Sequence, residues 1–140
     1  MYVAAFSGAA AASALDQQNG AVGTGTSLAT GSVTPSEDNE LVVSGVSIAD
    51  GSSGTYAVDS GLTITDQILA SAGNFEGGGL AYIIQTSAGA VNPTWSWTGS
   101  VNSAAVIATF KAAAAGGRTT KNTRSAPLGV NIGMNWRSGP

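Results

Sequence analysis

Trp95 and Trp97 are the residues whose type and spacing could bind a ligand in this chain. They stand two positions apart in the segment 94–98, TWSWT, so in a β-strand both indole rings lie on the same face. An exposed pair would offer a flat aromatic platform for the rings of a carbohydrate. A buried pair would belong to the core, where large aromatic side chains contribute much of the stability. We expect the pair to lie in the core and keep the carbohydrate platform as the alternative.

Catalytic chemistry has few groups to use in this composition. The 140 residues include no histidine and no cysteine, and only 9% of them are charged. A serine nucleophile would have no histidine as its base, and no Ser–Lys motif is present. Gly77–Gly79 lacks the lysine and the following helix of a phosphate-binding loop. We therefore predict that the protein is not an enzyme and holds no cofactor.

Acidic residues in or near Gly-rich segments offer oxygen atoms that could serve as Ca²⁺ ligands. Their spacing matches no calcium-binding loop, and carboxylates on turns are commonly solvated or bonded to their own backbone. We predict no metal site among them. These acidic residues are Asp50, Asp59, Asp66 and Glu76.

Charge is divided along the chain. All eight acidic residues precede residue 77, and all five basic residues lie at or after Lys111. The division predicts an acidic body and a basic tail. The tail would either dock on an acidic neighbouring subunit or remain solvated. The basic residues are too sparse to predict nucleic-acid binding. The tail residues that we assign to partner binding are Arg118, Lys121, Arg124, Trp136 and Arg137.

The tail also shows a local apolar pattern. We divide the chain into a β-domain at 1–111 and a flexible basic tail at 112–140, because Gly116-Gly117 is typical of a linker. The alternative is that part of the tail docks as a strand on another surface, since four apolar residues alternate there. These residues are Leu128, Val130, Ile132 and Met134.

Short alternating apolar runs between Gly, Ser and Asn turns predict strands rather than amphipathic helices. In Leu41–Ile48 the alternation slips by one position, which predicts a β-bulge at Gly45. In Leu62–Ile68 the acidic Asp66 interrupts the inward face, which predicts a sheet edge. Residues 7–23 lack sustained alternation and are predicted to form a loop. The other predicted strands are Tyr2–Phe6, a Thr-rich region at 24–34, a short strand near Thr55–Val58, a central strand at Leu80–Thr86, and Thr94–Thr98 and Ala104–Phe110 on either side of a Gly99-Ser100 turn.

Length and composition fit one all-β domain. A hydrophobic content of 43% is enough for a core, while 20 glycines and few charges argue against a helical bundle. We predict an antiparallel β-sandwich, Ig-like or jelly-roll-like. No run of about eighteen apolar residues occurs, so no membrane-spanning helix is predicted.

Several strand segments carry a family resemblance: 38–45 (DNELVVSG), 61–67 (GLTITDQ), 81–82 (AY), 92–97 (NPTWSW) and 105–111 (AVIATFK). Together they resemble a repetitive β-sandwich module of large secreted bacterial proteins and of phage or environmental virus-like proteins. The likeness covers about residues 1–111. It is a pattern of strands and contains no catalytic signature.

The chain departs from that module in length. The module is about twice as long, and Val3–Gly8 corresponds to the junction between its halves. The resemblance therefore implies either a fragment or a half-sandwich completed by another copy. It implies a structural protein, virion-associated or extracellular, acting in a homo-oligomer or with other virion or surface subunits. The alternative function is a carbohydrate-binding or adhesion module that recognises glycans.

Overall fold

The computed structural model describes residues 3–49, 54–70 and 76–114, and every regular element within them is a β-strand. The all-β class and the antiparallel pairing predicted from the alternating runs are confirmed. The strands are β1 (Leu15–Ala29), β2 (Glu40–Ala49), β3 (Ala57–Val58), β4 (Thr63–Ile68), β5 (Gly77–Gln85) and β6 (Thr94–Phe110).

The described strands belong to one sheet in which β6 is the longest member. The order is β1-β6-β2-β5-β4, and β3 pairs with β6 outside that path. Strand β1 pairs with both halves of β6, whereas β2 pairs with its second half and β3 with Trp95 and Ser96. The predicted turn at Gly99-Ser100 is a bend within this strand, because Gly99 takes a left-handed φ of 87° while pairing with β1 continues on both sides.

Strand β2 carries apolar side chains on both faces, which explains the slip in its apolar pattern. Its register with β5 and β6 runs unbroken through Gly45, so the predicted β-bulge is wrong. Val42 and Val46 lie on one face, which we call the inner face, while Leu41 and Val43 lie on the other, the outer face. A strand with apolar side chains on both faces has a near-continuous apolar sequence instead of an alternation.

The hydrophobic core lies against the inner face. A second, smaller cluster joins Val42 and Ile107 to the bridged pair Val33 and Val91. Each large apolar side chain buried here stabilises the fold by about 1.5–3 kcal/mol. The buried members of the main cluster are Val46, Ile48, Tyr56, Leu62, Ala70, Ala81, Trp95, Trp97, Val101 and Ala105.

Strand β1 overturns the predicted loop at 7–23. It begins at Leu15, and its side chains are largely exposed, with Val22 82% accessible. Apolar alternation is weak here because β1 is held mainly by backbone pairing with β6. The strand predicted at Tyr2–Phe6 is not found in its described part, since Val3–Phe6 lies outside the strands.

Two other predictions are confirmed by the strand order. Strand β5 is central, between β2 and β4, as the apolar run Leu80–Thr86 predicts. Strand β4 is an edge of the ordered path, as Asp66 predicts. A register shift between Ile64 and Asp66 then turns Ile68 to the outer face, where it pairs with Gly78.

The described chain stays with the sheet past residue 111. Ala112 forms a bridge with Ala9, and the Ala113 nitrogen donates a hydrogen bond to the Gly8 oxygen at 2.6 Å. The tail residues Arg118, Lys121, Arg124, Trp136 and Arg137 lie outside the described residues, so their assignment stays a prediction. The described part contains no helix long and apolar enough to cross a membrane.

Candidate functional site

The two tryptophans with ligand-binding spacing lie in the core. Trp95 is fully buried and Trp97 is 7% exposed. The Trp95 indole nitrogen donates to Ser44 Oγ at 2.9 Å, and that of Trp97 donates to the Gly25 carbonyl at 3.0 Å. With both rings covered and both N–H groups bonded, the geometry fits the core position and offers no flat face to a sugar ring.

The outer face of the sheet presents the most accessible apolar surface. Val106 of β6 lies between Gly20 of β1 and Gly45 of β2, and Gly45 in turn pairs with Leu80 of β5. Because both flanking residues are glycines, no side chain covers Val106 from either side. Val106 is 57% exposed, a large fraction for a valine in a central strand.

This row forms the floor of an open groove of about 570 Å³, which we call the outer groove. Apolar side chains line most of it, and residues 18–19 of β1 lie at one end. The outer groove is deep because glycine and alanine line part of it, and larger side chains at those positions would fill it. Its other lining residues are Gly20, Val43, Gly45, Leu80, Val106, Ile107, Ala108 and Phe110.

The N-terminal segment covers one end of the same face. Phe6 packs on Tyr82 of β5, with ring centroids 5.1 Å apart. A second hollow of about 380 Å³ lies between this segment and the sheet, lined by Ala4 and Phe6 on one side and Leu80 and Phe110 on the other. A piece of the chain thus already occupies part of the outer face and leaves the outer groove open beside it.

An ion pair closes the end of the sheet near Phe110. Lys111 Nζ lies 3.4 Å from Asp16 Oδ1 and 3.7 Å from Glu37 Oε1. The backbone nitrogen of Ser36 donates to Asp16 at 2.8 Å, which with the Ser36 hydroxyl and Lys111 holds the pKa of Asp16 below its usual value. Its hydrogen bond and charge in turn raise the pKa of Lys111.

Glu40 is a buried carboxylate beside that ion pair. Its Oε1 accepts a hydrogen bond from the Glu37 nitrogen at 3.1 Å and lies 3.5 Å from the Ser36 hydroxyl. Its Oε2 is buried without a hydrogen-bond partner in the described structure. The side chain therefore closes the turn that leads into β2.

The acidic residues considered as calcium ligands do not converge in the described part of the chain. Asp59 accepts hydrogen bonds from the Thr94 nitrogen at 2.7 Å and from Ser60, while Asp66 and Glu76 are exposed. Asp50 lies outside the described residues. No cluster of three carboxylates that could hold a metal occurs among the residues described.

Sequence reasoning did not identify the outer groove. The available signal was the run Ala104–Ala108, which is apolar at consecutive positions. It predicts apolar side chains on both faces of one strand. The pairing of Val106 with Gly20 and Gly45 depends on register, which the sequence pattern does not specify.

Comparison of this chain with protein-family models, with curated proteins and with solved structures finds no match.

Proposed function

We propose that this protein is a non-enzymatic structural subunit that assembles through the outer face of its sheet. The observation that carries the proposal is the outer groove, where Val106 is 57% exposed on an apolar floor. Contiguous exposed apolar surface on a folded domain marks an interaction site, because its burial is favourable. The chain lacks histidine and cysteine, so it offers few of the side chains that hydrolases use as catalytic bases and nucleophiles.

The same face suggests how the fold is completed. The described strands form one sheet whose inner face is packed and whose outer face is only partly covered by the N-terminal segment. We propose that a second subunit covers the remainder and so completes a β-sandwich, in the Ig-like or jelly-roll-like sense. The resemblance to a repetitive sandwich module supports this arrangement and a place in a virion or on an extracellular surface.

The test of assembly is the solution mass of the full chain, measured by light scattering over a wide concentration range. We expect the mass to rise with concentration. Val106→Lys places a charge on the groove floor and should weaken association at least about tenfold, because the ammonium would lose its hydration. Val22→Lys is the matched control, since this exposed valine lies on the same face outside the groove lining.

Both variants should keep the thermal unfolding midpoint within about 4 °C of the original chain, because the substituted side chains are exposed. A mass that equals the monomer at every concentration would overturn the proposal. Association that is equally strong in the Val106→Lys variant would show that the outer groove is not the assembly surface.

A further inference from the structure

We infer that the outer groove binds the segment 128–134 of a neighbouring copy, an inference that rests on the proposed assembly. The segment, LGVNIGM, lies outside the described residues and contains no charge. In an extended chain its alternate residues Leu128, Val130, Ile132 and Met134 lie on one side. Such a segment offers a row of apolar side chains to an apolar groove.

The N-terminal segment shows that this face accepts a further piece of chain. Phe6 packs on Tyr82, and Ala4 and Ala9 line the hollow that continues into the outer groove at Phe110. An extended segment beside the N-terminal segment would cover the groove floor at Val106.

The length of the segment fits the groove. From Phe110 to Val106 the groove runs roughly 13 Å along β6, and from β1 to β5 it crosses three strand spacings, roughly 14 Å. Seven extended residues span roughly 23 Å, which is sufficient for the diagonal of this surface.

Charge favours an occupant from this chain. The described residues include seven of the eight acidic residues, whereas Lys111 is their one basic residue and is itself paired with Asp16 and Glu37. The segment is flanked by Arg124 and Arg137. A basic flank is attracted to the acidic body, which supports association at low ionic strength.

The direction of the chain favours a neighbouring copy as the source. Beyond Phe110 the backbone continues in the direction of β6, and Ala113 bonds to Gly8. The last described residues are therefore still paired at the end of the sheet and run away from Val106, so the segment of the same chain reaches the groove only by reversing this direction. The direction of β6 in the acceptor places no such constraint on the segment of a neighbouring copy.

In this contact the segment of one copy binds the outer groove of another, so each copy uses two different surfaces. A one-way contact leaves a free groove and a free segment at its two ends, so the mass rises beyond a dimer unless two copies exchange their segments reciprocally and close as a dimer.

The experiment uses four full-chain variants, each with one substitution, and light scattering as the readout. Val106→Lys blocks the groove, and Ile132→Asp places a charge on the apolar side of the segment. Val22→Lys and Asn131→Asp are the controls, the latter because Asn131 lies on the opposite side of an extended segment. We expect the first two variants to remain monomeric at concentrations where both controls assemble.

Mixing then tests the contact between copies. A Val106→Lys copy retains its segment and an Ile132→Asp copy retains its groove, so an equimolar mixture should form a dimer and stop there. Thermal unfolding of each variant alone verifies that it is folded.

Each result has a separate meaning. If Val106→Lys prevents assembly while Ile132→Asp assembles normally, the assembly surface stands and the segment is overturned as its occupant. If the unsubstituted chain is monomeric at every concentration, both the proposed assembly and the binding of a neighbouring copy's segment are overturned. If the two monomeric variants do not combine on mixing, the pairing of segment with groove is overturned.

Discussion

At the scale of single residues, Ser44 connects the core to the sheet. Its hydroxyl accepts a hydrogen bond from Trp95 Nε1 at 2.9 Å and donates one to the Val106 carbonyl at 3.0 Å. One side chain therefore satisfies the indole of the largest buried residue and joins it to the strand that forms the groove floor. A buried polar group is tolerated at this position because it is bonded on both sides.

Replacing Ser44 by alanine should lower the free energy of unfolding by about 1–3 kcal/mol, because the buried Trp95 N–H then has no acceptor. Ser47→Ala is the control, since Ser47 is exposed on the same strand and its loss should change stability by less than about 0.5 kcal/mol. Urea unfolding followed by tryptophan fluorescence measures both values. Equal stability of the two variants would contradict the structural role given to the Ser44–Trp95 bond.

Two glycines in neighbouring strands should differ in their tolerance of alanine. A Cβ at Gly79 would lie 2.8 Å from Trp95 Cζ3, whereas a Cβ at Gly45 would meet the Gly79 oxygen at 3.6 Å and a Val106 methyl at 3.8 Å. We expect Gly79→Ala to destabilise the fold by about 1–3 kcal/mol, because the buried ring must move.

Gly45→Ala should be neutral or stabilising by up to about 1 kcal/mol, because it fits without strain and restricts the unfolded chain. Calorimetric unfolding of both variants decides the point. A Gly79→Ala variant as stable as Gly45→Ala would show that the ring has room to move.

At the scale of the elements, the strands with strong apolar patterns could be predicted and the others could not. The runs at Leu41–Ile48 and Leu80–Thr86 correspond to β2 and β5, because burial selects the apolar residues in these strands. Strand β1 was missed because it is rich in glycine and exposed, and its place depends on distant pairing with β6. The sequence predicts a turn at Gly99, whereas the structure has a bend within β6. A glycine with a positive φ suits both, so the sequence does not distinguish them.

The candidate site was only partly predictable for the same reason. The core position favoured for Trp95 and Trp97 follows from residue type and matches their burial. The outer groove follows from the register that places Val106 between Gly20 and Gly45, and a shift of one residue would move each side chain to the opposite face.

The ion pair between β1 and the residue after β6 makes the stability depend on pH. The pKa of Asp16 is lowered in the folded protein, so its stabilising contribution is present above its usual value near 4 and is lost as the pH falls through the folded pKa. The pKa of Lys111 is raised, so its contribution is present below about 10.5 and is lost as the pH rises through the folded pKa.

Asp16→Asn should therefore be less stable than the original chain at pH 7, and the difference should shrink as the pH falls below about 4. Urea unfolding at pH 7, 5 and 3 measures the trend. Asp66→Asn removes the same charge from an exposed position and controls for net charge. A difference that stays constant across this range would exclude titration of Asp16 as its cause.

At the scale of the whole molecule, the sheet has one face packed in the core and one partly open face that we propose for association. The inner face holds both hydrophobic clusters, and the outer face holds the groove beside the N-terminal segment. Substitutions on the inner face should lower the free energy of unfolding. Val106→Lys should lower the mass in solution and leave the free energy of unfolding nearly unchanged. If the proposed assembly is correct, this separation allows it to be altered without unfolding the subunit.

The position of β6 in the sheet has a consequence for biosynthesis. Its partners β1, β2 and β3 all precede it in the chain. The pair between Leu15 and Phe110, at the end of the β1–β6 ladder, can form only after Phe110 has been synthesised. A nascent chain therefore exposes the unpaired edges of β1 and β2 until β6 has left the ribosome. Contacts so distant in sequence slow folding and prolong the time in which aggregation competes with it.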